Sequence, residues 1–198
     1  VHSKVMAWAA VDRAVGLLER GATDGPLAEW RALRDAIHRE VCEQGYDAAA
    51  NTFVRAYGSH EVDAALLVIP QVGFLPPDDR RVISTVEAIQ RHLGIEGGLV
   101  VNYRPGDVDG LPDHEGAFLA CSFWLVRDLA LVGRVDEATR LFETLLGLRN
   151  DLGLLAEEWD PRLRRQVGNV PQAFSHGPLV EAALELVTAG PGSSRSEP

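Results

Sequence analysis

The sequence predicts an all-α chain of toroid type, an incomplete ring of helical hairpins whose members alternate between an inner and an outer layer. Three observations point that way. About seven helical segments can be read from apolar spacing and breakers, at 4–20, 27–44, 60–69, 78–93, 115–132, 136–149 and 176–189, while strand signals are nearly absent. The segments alternate between helices with one apolar stripe and helices apolar on most of their circumference. No constant repeat period or recurring consensus position marks the competing architecture, a helical solenoid.

Taken in order, segment 4–20 carries the run Val5-Met6-Ala7-Trp8-Ala9-Ala10-Val11 and needs protein on most sides. Pro26 opens segment 27–44, where Trp30, Leu33, Ile37 and Val41 share one stripe and charges occupy the rest. Segment 60–69 is again apolar, with Val62 and Ala64 to Ile69, and is expected to stop at Pro70. Pro76 and Pro77 precede segment 78–93, striped by Val82, Val86 and Ile89. Segment 115–132 is apolar from Ala117 to Val126, and Gly133 separates it from segment 136–149, striped by Ala138, Leu141, Phe142, Leu145 and Leu146. Gly153 and Pro171 bound a polar loop before segment 176–189, which is apolar from Leu179 to Leu186. Residues 1–190 read as one domain, and residues 191–198, rich in Gly, Ser and Pro, as a disordered tail.

A net charge of −10, with 19 basic residues scattered among 29 acidic ones, argues against nucleic-acid or anionic-membrane partners, because no phosphate-neutralising patch can form. Cys42 and Cys121 each lie inside an apolar helical pattern and read as small core residues, not as a disulfide or metal site. The six histidines show no HExxH or paired-cysteine spacing, and Asp107, Asp109 and Gly110 with Glu115 do not have the spacing of an EF-hand, so neither a metal nor a cofactor is expected. No phosphate loop, nucleophile elbow or dinucleotide fingerprint occurs. No run is long enough for a transmembrane helix and no signal-peptide pattern opens the chain, so the default expectation is cytoplasmic. The chain begins at Val1 within a helix-start pattern, and further N-terminal sequence is expected.

If the inner helices all run the same way, the loops that lead into them open at one end of the ring. These loops hold the conspicuous polar residues: His2-Ser3-Lys4, Tyr57 to His60, Asn102-Tyr103-Arg104 through Glu115, and Glu157 through Ser175. The expectation is a single mouth, with inner-helix N-termini whose positive dipole ends favour a carboxylate there.

At these residues the sequence resembles glycoside hydrolase family 15, the glucoamylases with the related trehalases and glucodextranases. The resemblance rests on an ordered series across nearly the whole chain. It runs from His2-Ser3-Lys4-Val5-Met6-Ala7-Trp8 with Asp12-Arg13-Ala14, through Tyr57-Gly58-Ser59 with Asp63-Ala64 and Gly73-Phe74-Leu75-Pro76 with Asp79, to Asn102-Tyr103-Arg104. It continues with Glu115 to Trp124 and Gly133 to Ala138, and ends with Glu157-Glu158-Trp159-Asp160 and Gly168 to His176.

The resemblance implies an (α/α)6 barrel, of which residues 1–190 would be the C-terminal part of the catalytic domain, and an inverting hydrolase acting on trehalose or the non-reducing ends of α-glucans. It assigns the general base to Glu157. Inversion needs a second carboxylic acid about 6.5–9.5 Å away to protonate the departing oxygen. The family's acid lies in a Trp-Glu motif before the segment matching His2-Ser3-Lys4, so the chain alone is expected to lack it and to be inactive, with the remainder of the barrel supplied by missing N-terminal sequence.

The same resemblance suggests substrate-binding roles for Arg104, Glu115, Glu158, Trp159, Lys4 and Gln172, and a small carbohydrate as the partner. Each has a plainer alternative. Glu157 could be a solvated loop carboxylate, Arg104 a surface ion pair and Glu115 a helix N-terminal charge. Trp8 and Trp124, in apolar helices, read as core residues, whereas Trp159 beside two glutamates suits a stacking platform. For Ser175 the plainer alternative is an N-cap. The rival for the whole chain is a non-catalytic helical domain that binds sugar or a protein partner.

Overall fold

In a computed structural model of the protein, residues 1–104 and 116–190 are described, and they form two compact units, Val1–Thr85 and one beginning at Val86. The division falls within a helix. Among the described residues, seven α-helices dominate, accompanied by five strands of two or three residues each.

In the first unit, α1 (His2–Glu19) packs against α2 (Leu27–Gln44). Val5, Trp8, Ala9 and Val15 are the buried residues of α1, and the Trp8 ring meets Phe74 edge-on with centroids 5.0 Å apart. His38 of α2 lies against the same Phe74 at 4.6 Å, so one aromatic cluster joins the two helices to the following loop. Trp8 is therefore core. The α2 stripe is covered only at its C-terminal end: Val41 is buried, while Trp30 and Leu33 are exposed.

A hairpin of β1 (Tyr46–Asp47) and β2 (Thr52–Phe53) follows. The segment expected to be helical over 60–69 is instead extended up to Asp63, then a 3-10 turn over Ala64–Leu67 leads into the short α3 (Val68–Gln71). The helix runs past Pro70 because the first turn requires no amide donor there.

Helix α4 (Arg80–Leu93) follows Pro76 and Pro77. Asp79 caps it by accepting from the Arg81 amide at 2.8 Å, and the Arg81 guanidinium binds both oxygens of the same carboxylate at 3.1 and 2.7 Å. That guanidinium holds the Asp79 carboxyl below the usual carboxylate range.

In the second unit, α5 (Leu119–Leu131) is the central helix, packed by α6 (Val135–Leu146) and α7 (Ala173–Ala189). Phe123 of α5 is fully buried and meets Phe142 of α6 edge-on, with centroids 6.1 Å apart. Helix α7 is apolar over most of its circumference, yet of its residues only Ser175, Pro178 and Ala182 are buried. Phe174, Val180, Leu184 and Val187 are exposed, so among the described residues one side of this helix is uncovered.

Beside α5 lies a three-stranded antiparallel sheet of β3 (Ala117–Phe118), β4 (Glu158–Asp160) and β5 (Arg165–Val167). Residues 116–118, expected to be helical, are extended and supply β3. No sequence signal marks these strands, because two or three residues are too few to display alternation. Among the described residues, no helix is long and apolar enough to cross a membrane.

Candidate active site

Glu157 sits between the buried Leu155-Ala156 pair and the first residue of β4. Each backbone N–H and C=O of these three residues has a protein partner. The Leu155 amide donates to His176 Nε2 at 3.3 Å, and the Leu155 carbonyl accepts from the Gln172 amide at 3.0 Å. The Ala156 amide donates to Gln166 Oε1, and its carbonyl accepts from Ser175 Oγ at 2.7 Å. The Glu157 amide donates to the Asn169 carbonyl at 2.9 Å, and its carbonyl accepts from the Leu119 amide at 3.0 Å. The base of the glutamate side chain is thus fixed by α5, by α7 and by the strand opposite, with no unmet polar group that could favour another conformation.

The partners are themselves held. Because the Leu155 amide can only donate, His176 Nε2 accepts, which puts the ring proton on Nδ1, 2.8 Å from the Gln172 carbonyl oxygen. Gln166 Nε2 donates to the carbonyls of Leu148 and Leu154 at 3.0 and 3.2 Å, tying β5 to the loop before the site. Ser175, proposed from the sequence as a possible N-cap of α7, is not one. Its hydroxyl is buried against Ala156, and the cap is Gln172, whose side-chain carbonyl accepts from the Phe174 amide at 3.3 Å.

The carboxylate is oriented by the residue that follows a glycine. β4 and β5 pair Glu158 with Val167, so continuing that register would set Gly168 opposite Glu157. Instead the Glu157 amide reaches Asn169, and two residues oppose one, as in a β-bulge whose first residue is a glycine with positive φ, here 78°. The Asn169 amide and Asn169 Nδ2 then both donate to Glu157 Oε2, at 3.2 and 2.9 Å. Among the described residues, nothing hydrogen-bonds the other oxygen, Oε1.

Gly168 is required on two counts. A Cβ there would lie 2.8 Å from Glu157 Oε2 and 2.9 Å from Glu157 Cβ, and the backbone conformation disfavours any side chain. Gly168→Ala is expected to cost about 1–3 kcal/mol of stability from the backbone alone and to displace the carboxylate. A urea midpoint shift checks it.

The other residues singled out from the sequence fall as follows. Glu158 is half-buried, and its Oε2 accepts from the Gly116 amide at 2.9 Å. Trp159 is half-buried in the middle strand, between Ala117 and Gln166. Arg104 is exposed, and its Nε donates to the His92 carbonyl at 2.6 Å. Trp124 is half-buried and meets Phe174 edge-on at 5.6 Å, so it joins α5 to α7. Lys4 belongs to the first unit, where its ammonium pairs with Glu40 at 2.9 Å. Glu115, with the rest of residues 105–115, and the tail at 191–198 lie outside the described residues.

Asp160 closes the hairpin by accepting from the Leu163 and Arg162 amides, and these bonds hold its carboxyl below the usual range. An open cavity of about 160 Å³ lined by Gln90, Gly97, Gly98, Glu137 and Arg140 involves none of these residues. Among the described residues, no three His, Cys, Asp or Glu side chains are grouped to hold a metal ion. Asn169, Gly168 and Gln166 were not singled out as site residues from the sequence. The turn-forming Gly168-Asn169 pair directly after the expected site was the available signal.

The sequence profile of Glycosyl hydrolases family 15 matches residues 1–184. The chain belongs to this family. Among curated proteins, family 15 relatives include a trehalase of Mycobacterium tuberculosis, 45% identical over 188 residues, which span 94% of this chain and 27% of the relative. A trehalase of Thermoplasma volcanium is 40% identical over 189 residues, 96% of this chain and 30% of the relative. The chain therefore spans less than a third of the length of the curated relatives it matches. Two solved glycosidases, one in complex with glucose, align with a TM-score of 0.78 at 23% and 22% identity, covering 96% of this chain and 52% of theirs. The all-α, (α/α)6-type fold expected from the sequence agrees with these family 15 and glycosidase matches.

Proposed function

We propose that this family 15 protein hydrolyses an α-glucosidic bond with inversion, and that Glu157 is the general base. Trehalose is the substrate class, because the curated relatives at 40–45% identity are named trehalases. The observation that carries the reading is the state of the Glu157 carboxylate. Its backbone has no slack, Oε2 is occupied by Asn169, and Oε1 is left to accept a proton. In the reaction, Oε1 takes a proton from water while the water oxygen bonds to the anomeric carbon. The bond from that carbon to the glycosidic oxygen breaks on the opposite face. The departing oxygen keeps the electron pair and receives a proton from a carboxylic acid.

That acid is assigned to sequence outside these 198 residues, since none of their glutamates matches the family's Trp-Glu motif. Residues 1–190 would then be one part of the catalytic barrel, inactive without the rest. Trp159 is proposed as a platform for a sugar face, with Arg104, Glu158, Glu115 and Gln172 as donors and acceptors for its hydroxyls. A cytoplasmic location suits an enzyme of this kind acting on trehalose inside the cell.

The stereochemistry gives a direct test with the full-length protein. Inverting hydrolysis of α,α-trehalose releases β-glucose from the attacked residue and α-glucose from the leaving one. Proton NMR in the first minutes should therefore show the two anomers in about equal amounts, before mutarotation. Exclusive α-glucose would refute inversion. Binding of glucose or trehalose without any turnover would support the sugar-binding alternative instead.

A further inference from the structure

We infer that Asn169 is a positioning residue for the general base, dedicating one oxygen of Glu157 to the protein so that the other meets the attacking water. The inference rests on the reading of Glu157 as base and extends it to a residue with its own test. Asn169 makes three bonds to a single residue. Its carbonyl accepts from the Glu157 amide, and its amide and Nδ2 donate to Oε2 at 3.2 and 2.9 Å.

A carboxylate has two chemically equal oxygens and a soft terminal torsion, so an unrestrained glutamate presents either oxygen over a range of directions. Two donors converging on Oε2 remove that degeneracy. The bulge at Gly168 makes the convergence possible, because the glycine allows the glutamate side chain to lie within 2.9 Å of where a Cβ would be. Asn169 is itself exposed and is not part of the core, so its bonds to Glu157 serve orientation more than packing.

The chemistry of the two half-steps separates this role from a general structural one. Losing alignment on the base side weakens attack by water whatever the leaving group, whereas losing the acid matters only when the leaving group needs a proton. Trehalose needs that proton and α-glucosyl fluoride does not. In the full-length protein, Asn169→Ala should lower kcat by about 10- to 100-fold on both substrates, the size expected when a reacting group is misplaced by around an ångström. KM should stay within about threefold and the unfolding midpoint should be close to that of the parent.

Asn169→Leu keeps a similar volume without the Nδ2 donor or an added charge, and should show the same pattern if the alanine variant folds poorly. A kcat within twofold of the parent in these variants would overturn the inference, as would a loss confined to trehalose or a change in KM alone. The parent reading fails separately. If Glu157→Gln retains turnover, Glu157 is not the base. If that variant is inactive while the Asn169 variants are unimpaired, only the positioning role falls.

Discussion

Glu157→Gln in the full-length protein should reduce kcat by about two to four orders of magnitude, the usual worth of a general base, while the unfolding midpoint stays near that of the parent. The structure explains why the two readouts separate. Glutamine keeps the length of the side chain and has an oxygen that can accept from the Asn169 amide and Nδ2, so the hairpin loses no partner. The six backbone bonds of Leu155, Ala156 and Glu157 do not involve the carboxylate and persist. On the proposed mechanism, what disappears is the oxygen that takes a proton from water, since an amide is not basic near neutral pH. KM should change little, because the substitution acts on the transition state and not on sugar contacts made in the ground state. Turnover near the parent value, with the variant verified by mass, would remove Glu157 from the mechanism.

Phe123→Ala should have the opposite signature, with a large loss of stability and little change in kcat per folded molecule. The Phe123 side chain is fully buried in α5, edge-on to Phe142. Its neighbours along the helix, Leu119, Leu125, Val126 and Leu129, are themselves buried and cannot swing in to fill the space. Truncating a buried phenylalanine costs about 3–5 kcal/mol, made up of lost apolar transfer and the cavity left behind. Against a typical total of about 5–15 kcal/mol, that is enough to bring a marginal domain close to its unfolding threshold. Urea titration followed by circular dichroism should show an earlier midpoint with an unchanged slope. A midpoint within error of the parent would mean that α5 is not the core of this unit.

The two substitutions also mark what could be read from the sequence. Helices α2 and α6 were legible because their apolar residues recur at helical spacing and proline or glycine marks their ends, and the observed bounds differ from the expected ones by three residues at most. Apolar spacing and the breaker at Pro70 predict a helix over 60–69, and its first part is extended because an apolar run does not distinguish a helix from a buried strand or loop. Glu157 was legible only through the ordered family resemblance, since a lone glutamate in a loop is ordinarily solvated. Its surroundings were hidden for a physical reason. Gln166, Ser175 and His176 reach with their side chains to the main chain of Leu155 and Ala156, and a main-chain partner leaves no residue-type pattern at its own position.

The tripeptide from Leu155 to Glu157 draws its bonds from α5, from α7 and its cap, and from the β5 strand with the residues after it. Those supports are far apart in the chain, so no short peptide could reproduce the arrangement. Heating should therefore dismantle it in one step: the Glu157 side chain keeps its aim until two helices and a hairpin let go together, and loss of its fixed geometry coincides with melting of that whole neighbourhood.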